Sequence, residues 1–174
     1  MNRILAVCLD FGDTLADEAS EVKDDTLTTL QAELIPGAGE LLRELKRRGY
    51  QLALVADGRP GTYSNVFRQH TLHELFDAFS ISEEVGVEKP DARMFVTALD
   101  ALGIEKADYG RTVMVGNRLD RDVGGANALG MISVWIDWSG RYASAPEHDI
   151  EVPDHTIHIP MELLEVMEEL ERER

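Results

Sequence analysis

The sequence predicts an α/β domain built on a mostly parallel sheet that is covered by helices on both faces. Four short apolar runs indicate buried strands, at Ile4–Leu9, Leu52–Ala56, Thr112–Val115 and Ile132–Ile136. Segments with helical spacing separate these runs, and such alternation is typical of parallel sheets. We therefore expect one doubly wound domain over residues 1–174, a length that suffices for a single hydrophobic core.

The remaining elements are predicted from the spacing of apolar residues and from residues that end helices. We predict helices at Asp24–Leu34, Gly37–Arg48, Tyr63–Phe76, Ala92–Leu102, Asp122–Leu129 and Met161–Arg174, and short strands at Phe79–Ser82 and His155–Ile159. Gly49 ends the second helix, and a break is expected near Thr71 in the third. The last helix carries six glutamates and one apolar face, which indicates a solvated helix packed along one side.

The composition of the chain indicates which partners and which cellular compartment to expect. The net charge of -16 disfavours nucleic acids and anionic membranes as partners in bulk. No apolar run approaches the roughly 20 residues of a membrane span, and Met1–Leu9 runs into Asp10 without a cleavage site, so we expect no signal peptide. The single cysteine, Cys8, predicts a core thiol and no disulfide framework. Together these features predict a soluble cytoplasmic protein.

Polar side chains follow three of the predicted strands. Asp10 ends the strand Ile4–Leu9, Asp57 follows the strand Leu52–Ala56, and Asn117 follows the strand Thr112–Val115. In open parallel sheets, ligands bind outside the carboxyl ends of the strands, so these residues mark a candidate site. A carboxylate placed like Asp10 can attack phosphorus, and Mg²⁺ would shield the charges that oppose the attack. The alternative is an aspartate that only caps a turn.

The stretch Cys8–Leu15 resembles the first motif of the haloacid dehalogenase (HAD) superfamily, an apolar strand followed by Asp-x-Asp-Gly-Thr. The resemblance implies a Rossmann-like core, Asp10 as the nucleophile that forms an aspartyl-phosphate, and Mg²⁺ as cofactor. The family's second aspartate, its general acid and base, corresponds to Gly12, whose carbonyl corresponds to a metal ligand. Asp13 stands one place later and is the remaining candidate for proton transfer.

The stretch Leu54–Gly58 resembles the family's second motif, in which a strand ends in Ser or Thr. That hydroxyl binds the phosphoryl group, but this chain has Ala56 in its place. The resemblance therefore leaves phosphate binding to the backbone of Ala56, Asp57 and Gly58. Arg59 is a further candidate for an anion, although exposed arginines are usually only solvated.

The stretch Val85–Asp91 resembles the family's Gly-x-x-Lys-Pro motif. Lys89 would then offset the negative charge of Asp10 and of a bound phosphate. The alternative is a surface lysine beside a proline at a helix start. The order of the motifs, which is that of the family, favours the functional interpretation.

The stretch Val113–Val123 resembles the family's acidic motif, Val-Gly-Asp with a second aspartate five residues later. Asn117 replaces the usual metal-binding aspartate, and its amide oxygen can bind Mg²⁺ without adding charge. Asp122 matches the second acidic position, where it would orient Lys89 or ligate the metal. Asp120 lies between them and is expected to be exposed.

The spacing of the motifs leaves no room for a usual cap domain. Thr14 and Ala56 are 42 positions apart, and Ala56 and Lys89 are 33 apart, which the predicted elements nearly fill. The segment Asp17–Asp25 is the one insert that could form a flap. An open site of this kind suits a large substrate or closure by a second subunit, so a homo-oligomer is among our expectations.

Three functions remain open. The first is a magnesium-dependent phosphatase for a small-molecule or macromolecular phosphate ester. The second is a catalytically impaired binding or interaction module, because positions 12, 56 and 117 depart from the family pattern. The third is a carbon–halogen hydrolase, which also uses an aspartate nucleophile but whose apolar pocket depends on a cap.

Overall fold

The computed structural model describes residues 2–172 and contains two sheets. The strands in these residues are β1 (Ala6–Leu9), β2 (Val22–Lys23), β3 (Thr29–Gln31), β4 (Gln51–Ala56), β5 (Ala78–Ile81), β6 (Thr112–Gly116), β7 (Ile132–Ile136) and β8 (His155–Ile157). The main sheet has six strands within the described residues, in the order β5-β4-β1-β6-β7-β8, and neighbouring strands are parallel. This confirms the α/β fold predicted from the sequence.

Helices cover both faces of the main sheet. They are α1 (Ala38–Arg47), α2 (Pro60–Gln69), α3 (Ser82–Val85), α4 (Ala92–Ala101), α5 (Gly124–Leu129) and α6 (Leu163–Arg172). The apolar faces of α1, α2 and α6 join one core, whereas those of α4 and α5 join the other. Strand β1 supplies both cores because its side chains alternate: Val7 and Leu9 face one, and Ala6 and Cys8 face the other.

The core position of Cys8 confirms the structural role predicted for it. Its side chain is fully buried as a free thiol, and burial raises its pKa to about 12. A thiol held in its neutral form is a poor nucleophile and a poor metal ligand. Cys8 therefore packs the sheet and takes no part in the chemistry of the site.

The helix predicted over Asp24–Leu34 is wrong. Strands β2 and β3 form an antiparallel hairpin there, and it packs on α2. The Thr29 backbone N–H donates to Thr62 Oγ1 at 3.0 Å, and Asn65 Nδ2 donates to the Thr29 carbonyl at 3.0 Å. These tertiary hydrogen bonds outweigh a weak helical periodicity, and the threonines of this segment suit extended backbone.

Two other helices differ from their predicted bounds. The helix expected over Tyr63–Phe76 stops at Gln69, and Thr71, with φ of 57°, makes the expected break. The helix expected over Asp122–Leu129 is preceded by one π-helical turn at Leu119–Val123. Helix α6 matches the predicted C-terminal helix, whose last two residues lie outside the described range. Within residues 2–172, no helix is long and apolar enough to cross a bilayer.

Helix α5 lies close to the segment that carries Lys89. A side chain built on Gly125 would overlap the buried ring of Phe95 and approach the Pro90 Cα to 3.4 Å. The absence of a side chain at this position therefore lets α5 pack against α4 and against the start of the Lys89 segment.

Replacing Gly125 by alanine should destabilise the protein. The buried Phe95 ring cannot yield without disturbing the core, and overpacking of this kind costs about 1–3 kcal/mol. Gly124→Ala is the matched control, because its nearest contact, the Leu119 carbonyl at 3.4 Å, is an ordinary one. Urea unfolding should show a loss for Gly125→Ala and none for Gly124→Ala. Equal stabilities would contradict this packing argument.

Candidate active site

The carboxyl ends of three adjacent strands surround one cavity. Strands β4, β1 and β6 are neighbours in the sheet, and Asp57, Asp10 and Asn117 follow them. All three residues line a cavity of about 460 Å³ together with Lys89 and Asp122. The structure therefore brings together the candidate residues that the sequence placed at separate strand ends.

Lys89 occupies the centre of this group. Its Nζ donates to Asp10 Oδ1 at 2.7 Å, to Asp122 Oδ1 at 2.6 Å and to the Val55 carbonyl at 2.9 Å. The side chains of Lys89 and Asp122 are 2% and 1% exposed, whereas that of Asp10 is 13% exposed. One buried ammonium thus balances two carboxylates, of which Asp10 is the more exposed.

Electrostatics keep Lys89 protonated. Burial by itself lowers the pKa of the ammonium, but the carboxylates of Asp10, Asp122 and Asp57 outweigh that effect and raise it well above the ordinary value. For Asp122, burial and the nearby charge of Asp10 raise the carboxyl pKa despite the contact with Lys89. The two carboxylates therefore compete for a single positive charge.

Asp122 is the second carboxylate that contacts Lys89. Its Oδ2 accepts the Arg118 backbone N–H at 3.0 Å, so both oxygens have protein donors. A side chain on Gly116 would overlap this carboxyl, which explains the glycine at the end of β6. The contacts of Asp122 are those of a residue that positions Lys89.

Asp57 also supports the lysine. Its Oδ1 accepts the Lys89 backbone N–H at 2.9 Å, and its Oδ2 accepts from Arg121 Nη1 at 3.1 Å. Ala56 is buried at the end of β4, and the Gly58 N–H donates to Ser82 Oγ at 2.8 Å. These three predicted phosphate-binding residues lie at the carboxyl end of β4. The Asp57 side chain and the Gly58 amide, however, already have protein partners.

Gly12 and Asp13 take opposite positions. Gly12 lines the cavity, whereas the Asp13 side chain is fully buried outside it. Asp13 Oδ2 accepts from Arg141 Nε at 2.8 Å, and Oδ1 accepts the Glu18 backbone N–H at 3.0 Å. The structure thus does not bring Asp13 to Asp10, and the predicted proton transfer by Asp13 is not favoured by this geometry.

Oxygen donors suited to a hard cation line the same cavity as Asp10. The Asp10 carboxylate, the Gly12 backbone and the Asn117 amide line the same cavity, and Asn117 Nδ2 is buried without a hydrogen-bonding partner. Within residues 2–172, no cluster of three or more His, Cys, Asp or Glu side chains is arranged to hold a metal. A cation at this edge would therefore depend on amide and carbonyl oxygens as well as on Asp10.

Comparison with known proteins agrees with the motif order. The family described as haloacid dehalogenase-like hydrolase matches residues 4–130, which contain every motif considered above. The chain belongs to this family. This confirms the resemblance to the haloacid dehalogenase superfamily. The residues of the candidate site fall within the matched range.

Individual relatives match this chain over part of their length. It is 38% identical over 133 residues to a glyceraldehyde 3-phosphate phosphatase of Methanopyrus kandleri, and 34% identical over 139 residues to that of Pyrococcus furiosus. The alignments cover 76% and 80% of this chain, and the chain spans 55% of the length of each of these relatives. A HAD phosphatase of Thermococcus onnurineus superposes with a TM-score of 0.67 at 28% identity, covering 78% of this chain and 59% of the other.

Sequence reasoning missed Glu18 and Tyr142, which line the same cavity. Tyr142 Oη donates to Glu18 Oε2 at 2.8 Å, and the Arg118 guanidinium lies 4.5 Å from the centre of the Tyr142 ring. Burial raises the pKa of the Glu18 carboxyl, and the charges of Asp13 and Asp10 add to that effect. The acidic character of residues 17–25 was the only signal for Glu18, and no motif marks Tyr142.

Removing the central ammonium should destabilise the protein strongly. In Lys89→Met, Asp10 and Asp122 would face each other without a cation, and breaking a buried ion pair costs about 3–5 kcal/mol. Adding Asp122→Asn should recover part of this loss, because it removes one of the two unpaired charges. Urea unfolding at pH 7 of both single variants and the double variant measures the coupling. Additive losses would contradict the central role of Lys89.

Proposed function

We propose that this protein is a phosphatase that cleaves a phosphate ester through an aspartyl-phosphate on Asp10. The observation that carries the proposal is the arrangement of Asp10, Lys89 and Asp122 at the carboxyl ends of the strands. The nucleophile is partly open to the cavity, whereas the lysine and the second aspartate are buried behind it. A binding module would not need a carboxylate aimed at its anionic ligand.

The relatives support the same class of reaction. The proteins of Methanopyrus kandleri and Pyrococcus furiosus carry the name glyceraldehyde 3-phosphate phosphatase, and a Thermus thermophilus relative is a phosphoserine phosphatase. This chain spans about half the length of these proteins or less, so their substrates are not carried over to it. We therefore extend the reaction class to this chain and leave the identity of the ester to experiment.

The chemistry divides between two groups. An Asp10 oxygen attacks phosphorus, and the bond to the leaving-group oxygen breaks to leave a phosphoryl group on Asp10. Lys89 Nζ lies 2.7 Å from Asp10 Oδ1, and its positive charge offsets the negative charge of the incoming phosphate. Water then attacks the aspartyl-phosphate, releases inorganic phosphate and restores Asp10.

Magnesium fits the donor set around Asp10. The Asp10 carboxylate, the Gly12 carbonyl and the Asn117 amide oxygen would hold it, because hard cations prefer oxygen ligands. When bound, the ion would shield the negative charges of nucleophile and phosphate. Asp122, also proposed as a ligand, already accepts from Lys89 and Arg118, so we assign it the positioning of Lys89 instead.

Basic side chains line the cavity together with carboxylates. Lys23, Arg59, Arg118 and Arg121 lie there, although the chain as a whole carries a net charge of -16. Each of these four is paired with a nearby carboxylate, so they offset negative charge around the cavity rather than make it positive overall. The proposed substrate is a small phosphate ester or one carried on a macromolecule. A cytoplasmic location and a homo-oligomer stay predictions from the sequence.

Asp10→Asn should abolish phosphate release from a panel of phosphate esters that includes glyceraldehyde 3-phosphate and phosphoserine. The amide is a far weaker nucleophile, so we expect a loss of at least about 10³-fold in kcat, within the range that nucleophile removal costs in other hydrolases. Release is followed with added Mg²⁺ and again with a chelator. The matched control is Asp108→Asn, a half-exposed carboxylate paired with Arg111, which should keep full activity.

The same panel separates the alternatives. Equal release by the wild-type protein and Asp10→Asn, with both folded by circular dichroism, would overturn the phosphatase proposal. Tight phosphate binding without turnover would then favour the binding module. Metal-independent chloride release from a 2-haloacid would favour the carbon–halogen hydrolase instead.

Asn117→Asp should strengthen magnesium binding. The substitution adds one negative charge to the proposed donor set, and ligand charge strongly tunes divalent-cation affinity, so we expect about tenfold tighter binding. Thermal unfolding over a series of Mg²⁺ concentrations reports this affinity without requiring turnover. An unchanged dependence on Mg²⁺ would show that Asn117 is not a ligand. Asn2→Asp, which makes the same change outside the cavity, is the control.

A further inference from the structure

The space beside Gly12 is filled by another residue. A side chain built on Gly12 would overlap the carboxyl of Glu18, with Cβ 2.8 Å from Glu18 Cγ and 3.0 Å from Cδ, and nearest to Oε1. The side chain of an aspartate at position 12 would therefore start in the space that the Glu18 carboxyl occupies. Residue 12 itself carries no carboxylate, but the carboxylate of Glu18 lies in the same space.

The local backbone brings Glu18 to this place. Asp13 adopts a left-handed conformation, with φ of 51°, and its Oδ1 accepts the Glu18 backbone N–H at 3.0 Å. Asp17 caps the short 3₁₀ helix Glu18–Ser20 through the Ala19 N–H at 2.9 Å. The exchange of glycine and aspartate at positions 12 and 13 thus both opens the space and anchors the loop that fills it.

The Glu18 carboxyl has one supported oxygen and one that is open. Oε2 accepts from Tyr142 Oη at 2.8 Å and lies 3.7 Å from Arg141 Nε. Within residues 2–172, Oε1 has no hydrogen-bonding partner, and it is the oxygen nearest to Gly12. Glu18 lines the cavity that contains Asp10, and its side chain is 31% exposed. The group is held in place with one oxygen left for a ligand.

The other carboxylates that line the cavity beside Asp10 differ from Glu18 in their contacts. Both oxygens of Asp57 and both oxygens of Asp122 accept hydrogen bonds from protein donors. Glu21 Oε2 is paired with Lys23 Nζ at 2.7 Å and accepts from Thr29 Oγ1 at 3.2 Å. Glu18 is distinguished from them by its place against Gly12, two positions after the nucleophile.

We propose that Glu18 is the general acid and base of the reaction, in the place of the aspartate that is missing at position 12. This assignment rests on the proposed phosphatase activity. As Asp10 attacks phosphorus and the ester P–O bond breaks, the protonated Glu18 gives its proton to the leaving alkoxide. The Glu18 carboxylate then takes a proton from water as the water oxygen attacks phosphorus, and the Asp10–phosphorus bond breaks to release phosphate.

The test compares two leaving groups in Glu18→Gln. An alkyl alkoxide needs a proton, whereas p-nitrophenolate leaves without one, so only the alkyl ester should depend on the acid. For the best alkyl phosphate of the panel, kcat/KM should fall about 10²–10⁴-fold, the usual contribution of general acid–base catalysis. For p-nitrophenyl phosphate, kcat/KM should fall less than about tenfold by the same reasoning. Glutamine keeps an oxygen that can accept from Tyr142.

A second readout follows the aspartyl-phosphate itself. Without a base, its hydrolysis should become slow, so Glu18→Gln should release one equivalent of p-nitrophenol in a burst and then turn over slowly. Glu21→Gln, the same change in the same loop and cavity, is the matched control and should show neither the burst nor the leaving-group effect. The pair Gly12→Asp with Glu18→Ala should restore the alkyl phosphatase activity, because the new carboxylate enters the vacated space.

The outcomes are distinct. Equal losses for both leaving groups, without a burst, would mean that Glu18 only supports the fold, and this would overturn the assignment while the phosphatase activity stood. A selective loss with a burst would establish it. Absence of phosphate release from the wild-type protein on both esters would overturn the proposed function and the assignment together.

Discussion

The buried ammonium of Lys89 is the interaction on which the rest of the site depends. It joins carboxylates from two separate segments, Asp10 after β1 and Asp122 after β6, with hydrogen bonds of 2.7 and 2.6 Å. Asp57 fixes the lysine backbone, and Gly116 leaves room for Asp122. A charge that is buried so completely needs partners on every side, and the three central strand ends are arranged to provide them.

A second constraint comes from the exchange of glycine and aspartate after the nucleophile. The carboxylate at position 13 turns away from the cavity and pairs with Arg141, which lies 128 positions further along the chain. It also fixes the backbone of Glu18, so the turn after β1 and the loop after β7 hold the same short segment. The hairpin β2–β3 continues from this segment, packs on α2 and contributes Lys23 and Thr29 to the lining of the cavity.

The parts of the structure that were predictable from sequence are those encoded locally. Apolar runs bounded by glycine and aspartate located the main strands and placed Asp10, Asp57 and Asn117 at one edge. The hairpin of β2 and β3 was not predictable, because its strands are two and three residues long and the hydrogen bonds of β3 to α2 are tertiary. Glu18 was missed because its position depends on a left-handed residue and on a distant arginine, neither of which leaves a periodic signal.

The carboxylate beside Gly12 is carried by a tethered loop rather than by the strand end that carries Asp10, and this has an evolutionary consequence. When two reactive groups stand two residues apart on one strand end, neither can change position without disturbing the other. Here the loop from Asp17 to the hairpin can be lengthened, shortened or replaced while β1 and its nucleophile stay intact. Natural selection can therefore modify the two chemical duties of such a site independently.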